Sequence, residues 1–99
     1  MNLNEWRDKI HKLALEKGWW DDERKGPECI ALMHSELSEA LEGMRTNNWD
    51  GEHGVYEEMV DCIIRILDYL GAKEVDVENV INTKHEYNKT RPHKHGKKF

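Results

Sequence analysis

Only two prolines occur in this chain, Pro27 and Pro92, and between them and the glycine clusters the apolar residues recur three or four apart. That spacing covers one face of an α-helix, whereas a half-buried strand alternates every second residue. The expected fold is all-α, a single domain over residues 1–99 built as a four- to five-helix bundle. Leu3, Trp6, Ile10, Leu13 and Ala14 predict a first helix. Gly18 can close it, because glycine takes the left-handed conformation past a helix end at little cost. A connector follows from Trp19 to Gly26, and Pro27 suits the first position of a second helix, where its fixed φ fits and no N–H is needed.

Ile30, Met33, Leu37, Ala40, Leu41 and Met44 form the apolar face of that second helix, and Asn47, Asn48, Asp50, Gly51 and Gly54 mark the polar loop after it. A third helix is predicted from Val55 to Leu70, closed by Gly71, with Met59, Ile63, Ile66, Leu67 and Leu70 on one side. Val60, Cys62 and Ile64 extend its apolar character round most of the circumference, so it should be the central helix. Asp76 predicts the N-cap of a fourth helix carrying Val77, Val80, Ile81 and Tyr87. Arg91-Pro92 should end it, since the residue before proline avoids the α region. Residues 92–99 lack apolar periodicity until Phe99 and are expected to be mobile, or ordered by a ligand or a neighbouring subunit.

The charge is unevenly spread. Residues 84–99 hold Lys84, Lys89, Arg91, Lys94, Lys97 and Lys98 against Glu86 alone, a tail of +5, which leaves -10 on residues 1–83 within a total of -5. An acidic body suits cations and a basic tail suits an anion, while a nucleic-acid polymer is disfavoured as the partner of the body. Cys29 and Cys62 sit within helical patterns rather than at CxxC spacing, and so read as reduced, packed thiols. No apolar run reaches the length of a spanning helix, and the start of the chain lacks a signal-peptide layout, so an intracellular, cytoplasmic location without membrane contact is expected.

Glu36 and Glu39 stand three apart on the second helix, and Glu58 and Asp61 repeat that spacing on the third. Residues three apart share a helix face. An antiparallel hairpin of the two helices can bring both pairs together, and converging carboxylates repel unless a cation lies among them. All-oxygen ligands suit magnesium, with manganese as a substitute, and such ions polarise phosphoryl oxygens. Glu39–Glu42 and Glu5–Asp8 show the same spacing and read as solvated surface pairs. The apolar neighbours Met33, Leu37, Ala40 and Leu41, and Met59, Val60, Cys62 and Ile63, separate the four candidates from that class by placing at least some of them near the core.

With these residues in view, the chain resembles the MazG-like all-α nucleoside triphosphate pyrophosphohydrolases, in their compact phage or stand-alone bacterial form. Ala31–Glu42 is similar to that family's first metal helix and Glu57–Ile64 to its second, and the similarity extends to Glu16–Asp21 and Lys84–Lys97. The resemblance implies hydrolysis of a nucleoside triphosphate to the monophosphate and pyrophosphate, in the host cytoplasm if the protein is phage-encoded. It implies Glu36, Glu39, Glu58 and Asp61 as both catalytic and magnesium-binding. Glu57 is either an outer ligand or a surface charge, since adjacent positions diverge by about 100° on a helix. Deoxynucleotides, dGTP first, are the implied pool substrates; dUTP, dCTP and phosphoribosyl-ATP are alternatives.

Lys84, Asn88 and Arg91 align at i, i+4 and i+7 on the fourth helix and are candidate phosphate ligands; Lys94 and Lys97, with Lys98, either close over the phosphates or aid solubility. His93 and His95 read as loop residues. Trp19 and Trp20 are candidate base platforms, with core or subunit interface the alternative for one of them; His34 is a further candidate that reads first as a packing histidine, and Trp49 is a weaker one. The family's layout adds Asn4 and Trp6 to that pocket. With 37% hydrophobic residues the chain makes a thin core alone, so a homodimer or a homotetramer built as a dimer of dimers is expected. A non-catalytic helical interaction module is the competing reading; a di-iron bundle is disfavoured because no Glu-x-x-His pair occurs.

Overall fold

The computed structural model describes residues 1–99 as four α-helices and a short 3-10 turn, with no strand. Helix α1 spans Leu3–Glu16, α2 Gly26–Arg45, α3 Val55–Ala72 and α4 Val77–Lys89, and the turn covers His93–Gly96. Each start has a local cause. Asn2 caps α1 through the Glu5 N–H while the Glu5 carboxylate reaches back to Asn2 N–H, a reciprocal capping box. Asp76 accepts from the Asn79 N–H and caps α4 as expected. Pro27 falls one position later than expected, because α2 opens at Gly26.

Helix α3 is central, with α2 against one side and α1 against another. The α2 seam is built from Cys29, Glu36, Ala40 and Gly43, spaced three, four or seven apart, and it meets Val55, Glu58 and Cys62 of α3. Small residues let the helices approach closely: a Cβ on Gly43 would lie 3.0 Å from Val55 Cγ2 and 3.1 Å from the Asn48 carbonyl oxygen. This overturns part of the expected core. Ile30, Leu37, Leu41 and Met44 of α2 and Met59, Ile63 and Ile66 of α3 are exposed, because the buried seam runs beside them through cysteine, alanine, glycine and two glutamates.

Gly71 does not close α3. It lies inside the helix where α1 crosses, and a Cβ there would sit 2.8 Å from His11 Cβ. The helix runs on to Ala72, and the chain then turns at Glu74, φ +55°. Helix α4 is held by its beginning: Glu78 accepts from Leu3 N–H at 2.6 Å, and Asn4 bonds both Asp76 (3.0 Å) and Val77 N–H (2.9 Å). Its apolar residues Val80, Ile81 and Tyr87 are exposed, and it ends at Lys89, short of Arg91-Pro92. Six apolar residues are buried in all, Cys29, Ala40, Val55, Cys62, Leu67 and Val77. Both cysteines are free thiols, and no helix is long and apolar enough to cross a membrane.

Candidate metal centre

The α2–α3 hairpin brings Glu36, Glu58 and Asp61 together, with one oxygen of each within 4.8 Å of the others. Glu36 and Glu58 are 8% and 2% exposed, and Asp61 is half-buried. Their positions follow from the seam: Glu36 lies four residues before Ala40, and Glu58 lies one turn into α3 after the buried Val55. Glu39, the fourth expected ligand, is exposed. It lines an open polar cleft with Glu42, Thr46, Asn48, His53 and the inner Glu58.

The electrostatics record the crowding. Glu58 is pushed up to about 7 by the proton it shares with Glu36, by burial and by the nearby Glu39. Burial also raises Asp61, with the charges of Glu36 and Glu57 adding to it. Burial acts upward on Glu36 too, but the hydrogen bonds from Arg65 and Glu58 outweigh it and hold that carboxyl below its usual range. Arg65 Nε donates to Glu36 Oε1 at 2.8 Å. This arginine is absent from the set expected from sequence, although its place one turn after Asp61 was a readable signal.

The donor set fits a hard divalent cation. Carboxylate oxygens are its preferred ligands, and Glu58 Oε2 is fully buried with no hydrogen-bond partner. A buried acceptor of this kind is costly unless a proton or a cation meets it. Glu57 stands outside the cluster: it is exposed and accepts from the His53 N–H at 3.0 Å, which pins the loop.

The other expected residues are distributed differently. Trp20 donates its indole N–H to both Asp68 oxygens, at 3.0 and 3.1 Å, beside His11, whose Nδ1 is 2.8 Å from the same carboxylate. The neighbouring cavity, lined by Trp20, Arg24, Leu32, Arg65, Asp68 and Tyr69, measures ≈ 20 Å³, the size of a water and not of a base. Asp68 was missed as the hub of this network because a lone aspartate late in an apolar helix carries no spacing signal. Trp19 and His34 are exposed. Trp49 packs its ring against Tyr56 instead.

Lys84 and Arg91 flank the Tyr87 ring, their cations 4.9 and 5.5 Å from its centre, and Asn88 Oδ1 is buried without a partner. No hydrogen bond or ion pair joins Lys84, Asn88, Arg91, Lys94 or Lys97 to the carboxylates; within one chain α4 packs chiefly on α1. Comparison with protein-family models, with curated proteins and with solved structures found no match.

Proposed function

We propose that this chain is a metal-dependent nucleoside triphosphate pyrophosphohydrolase. What carries the proposal is the convergence of Glu36, Glu58 and Asp61 on a seam where one buried glutamate oxygen has no partner. Two of these acids are enclosed at the α2–α3 contact, which sets them apart from solvated pairs such as Glu5 and Asp8. The substrate class comes from the likeness of Ala31–Glu42 and Glu57–Ile64 to the MazG-like metal helices.

Glu36, Glu58 and Asp61 would hold Mg2+ or Mn2+, with Glu39 reaching in from the cleft rim. The cation supplies Lewis-acid stabilisation of a phosphoryl group and activation of water at neutral pH. Arg65 keeps Glu36 ionised and oriented. Lys84, Asn88 and Arg91, with Lys94 and Lys97 beyond them, offer donors for the departing pyrophosphate. A second copy of the chain is the means of bringing that stripe to the acids, since α4 leaves Val80, Ile81 and Tyr87 uncovered and α2 and α3 expose Leu41, Met44, Ile63 and Ile66. The functional unit in this reading is a dimer or a dimer of dimers, and pool control of deoxynucleotides, dGTP foremost, is its role.

A panel of nucleoside triphosphates with Mg2+ or Mn2+, scored for monophosphate and pyrophosphate, tests it. Equimolar monophosphate and pyrophosphate is the expected result. No turnover of any member overturns the enzyme assignment, and orthophosphate release without pyrophosphate overturns attack at the α-phosphorus.

A further inference from the structure

A second polar network lies one turn beyond the carboxylates on α3. Arg65 and Asp68 stand three apart and share a helix face. Arg65 donates its Nε to Glu36, and Asp68 receives His11 and Trp20. Both line the ≈ 20 Å³ cavity, together with Arg24. The Arg24 side chain is 12% exposed, its guanidinium lies over the Trp20 ring, and its only ion pair, from Nη1 to Asp68 Oδ2, is 4.0 Å long. That length is beyond a direct hydrogen bond of about 2.7–3.2 Å. A polar contact wider than about 3.5 Å is one that a water can bridge.

A site holds a water when it offers at least about 10–15 Å³ and two to four polar partners. This cavity has the volume and both kinds of partner. Arg65 has N–H groups beyond the Nε that Glu36 takes, Arg24 has its own, and Asp68 Oδ2 carries only the Trp20 N–H that it shares with Oδ1. We infer that one water sits here, accepting from Arg24 and Arg65 and donating to Asp68 Oδ2, and that through it Asp68 is a positioning residue for Glu36. The guanidinium is a rigid planar fork, so a water that holds its Nη end also sets the plane in which Nε meets the glutamate. The chain of hydrogen bonds runs from Trp20 through Asp68, the water and Arg65 to Glu36, and neighbouring bonds in such a chain polarise one another. A cation that draws charge from Glu36 is therefore felt at the Trp20 indole. The inference rests on the reading of Glu36, Glu58 and Asp61 as a cation site.

The test uses the full chain without nucleotide. The Trp20 indole N–H resonance is identified by its loss in Trp20→Phe, and Mg2+ is titrated into wild type, Arg65→Lys and Asp68→Asn, with binding followed by calorimetry. In wild type the Trp20 resonance is expected to shift in step with Mg2+ saturation while the Trp6 indole stays in place. Arg65→Lys keeps the charge but loses the fork; it should bind Mg2+ about tenfold more weakly and show no Trp20 shift at saturation. Asp68→Asn should broaden the Arg65 Nε–H resonance that is sharp in wild type; where that variant does not fold, Arg65→Lys decides alone. A crystal structure of wild type should hold one water within about 3.2 Å of both Asp68 Oδ2 and an Arg65 Nη. A Trp20 resonance unmoved by bound Mg2+, a shift retained in Arg65→Lys, or a crystal structure without that water overturns the relay and leaves the carboxylate site standing. Failure of wild type to bind Mg2+ overturns the cation site, and with it the positioning role of Asp68.

Discussion

Replacing Glu58 by glutamine should stabilise the metal-free protein, and should do so only where Glu58 is ionised. Two unit charges 4.8 Å apart repel by about 3.5 kcal/mol at an effective dielectric of about 20. Glu58 faces both Glu36 and Asp61, and Arg65 already offsets the first. The folded protein holds the Glu58 proton up to about pH 7, whereas the unfolded chain releases it near 4.5. A group with a raised folded value stabilises when protonated, and that contribution is lost as pH rises from 4.5 through 7. At about 1.4 kcal/mol per unit, the advantage of Glu58→Gln should be below about 1 kcal/mol at pH 5 and about 3 kcal/mol at pH 8. For a chain of this size 2 kcal/mol shifts Tm by roughly 10 °C. Thermal unfolding followed by circular dichroism in EDTA at the two pH values measures it. Saturating Mg2+ should then stabilise the wild type at pH 8 by about 2.7 kcal/mol at a hundredfold excess over Kd, read as a higher Tm, and leave the variant nearly unmoved. A variant that melts below wild type at pH 8 in EDTA, or a shift independent of pH, would refute the repulsive cluster.

Gly71→Val drives a side chain into His11 and the Arg7 carbonyl, 2.8 and 3.2 Å from the new Cβ, and should cost about 2–3 kcal/mol in urea unfolding. A midpoint unchanged from wild type would show that α1 does not sit so close. Asp68→Asn removes the charged acceptor shared by Trp20 and His11 and should lower stability by about 1–3 kcal/mol while altering tryptophan emission. Ile81→Glu, on the exposed face of α4, should abolish self-association in light scattering and leave helix content intact; an unchanged mass would remove α4 from the interface. Proton release on Mg2+ addition near pH 6.5 should be measurable in weak buffer, because metal displaces the proton that Glu58 holds there.

Much of the helix plan was legible locally. Asp76 and the Pro27 region mark helix starts through capping and φ restriction, which depend on neighbours a few residues away. The Glu36 and Glu58–Asp61 pairing was legible because a short loop between two helices leaves an antiparallel hairpin as the simple arrangement. Gly71 was misread because a glycine after an apolar run means either a helix end or a close crossing, and only the partner helix decides which. The core was misread for a related reason. Periodicity finds the widest apolar stripe, but the α2–α3 seam follows the small residues that let backbones approach, so larger side chains were left outside.

The amino-acid sequence thus determined which segments are helical and which acids share a helix face, because caps, prolines and 3.6-residue periodicity act within a turn or two. Tertiary structure alone decided that Glu58 is enclosed while Glu39 stays on the rim, that Arg65 neutralises Glu36, and that Trp20 serves Asp68. It also decided that the Lys84–Arg91 stripe lies apart from the carboxylates within one chain. The physical reason is that burial, field and pairing are properties of what faces a side chain across a helix contact, and no spacing along one helix encodes its partner's rotation and distance.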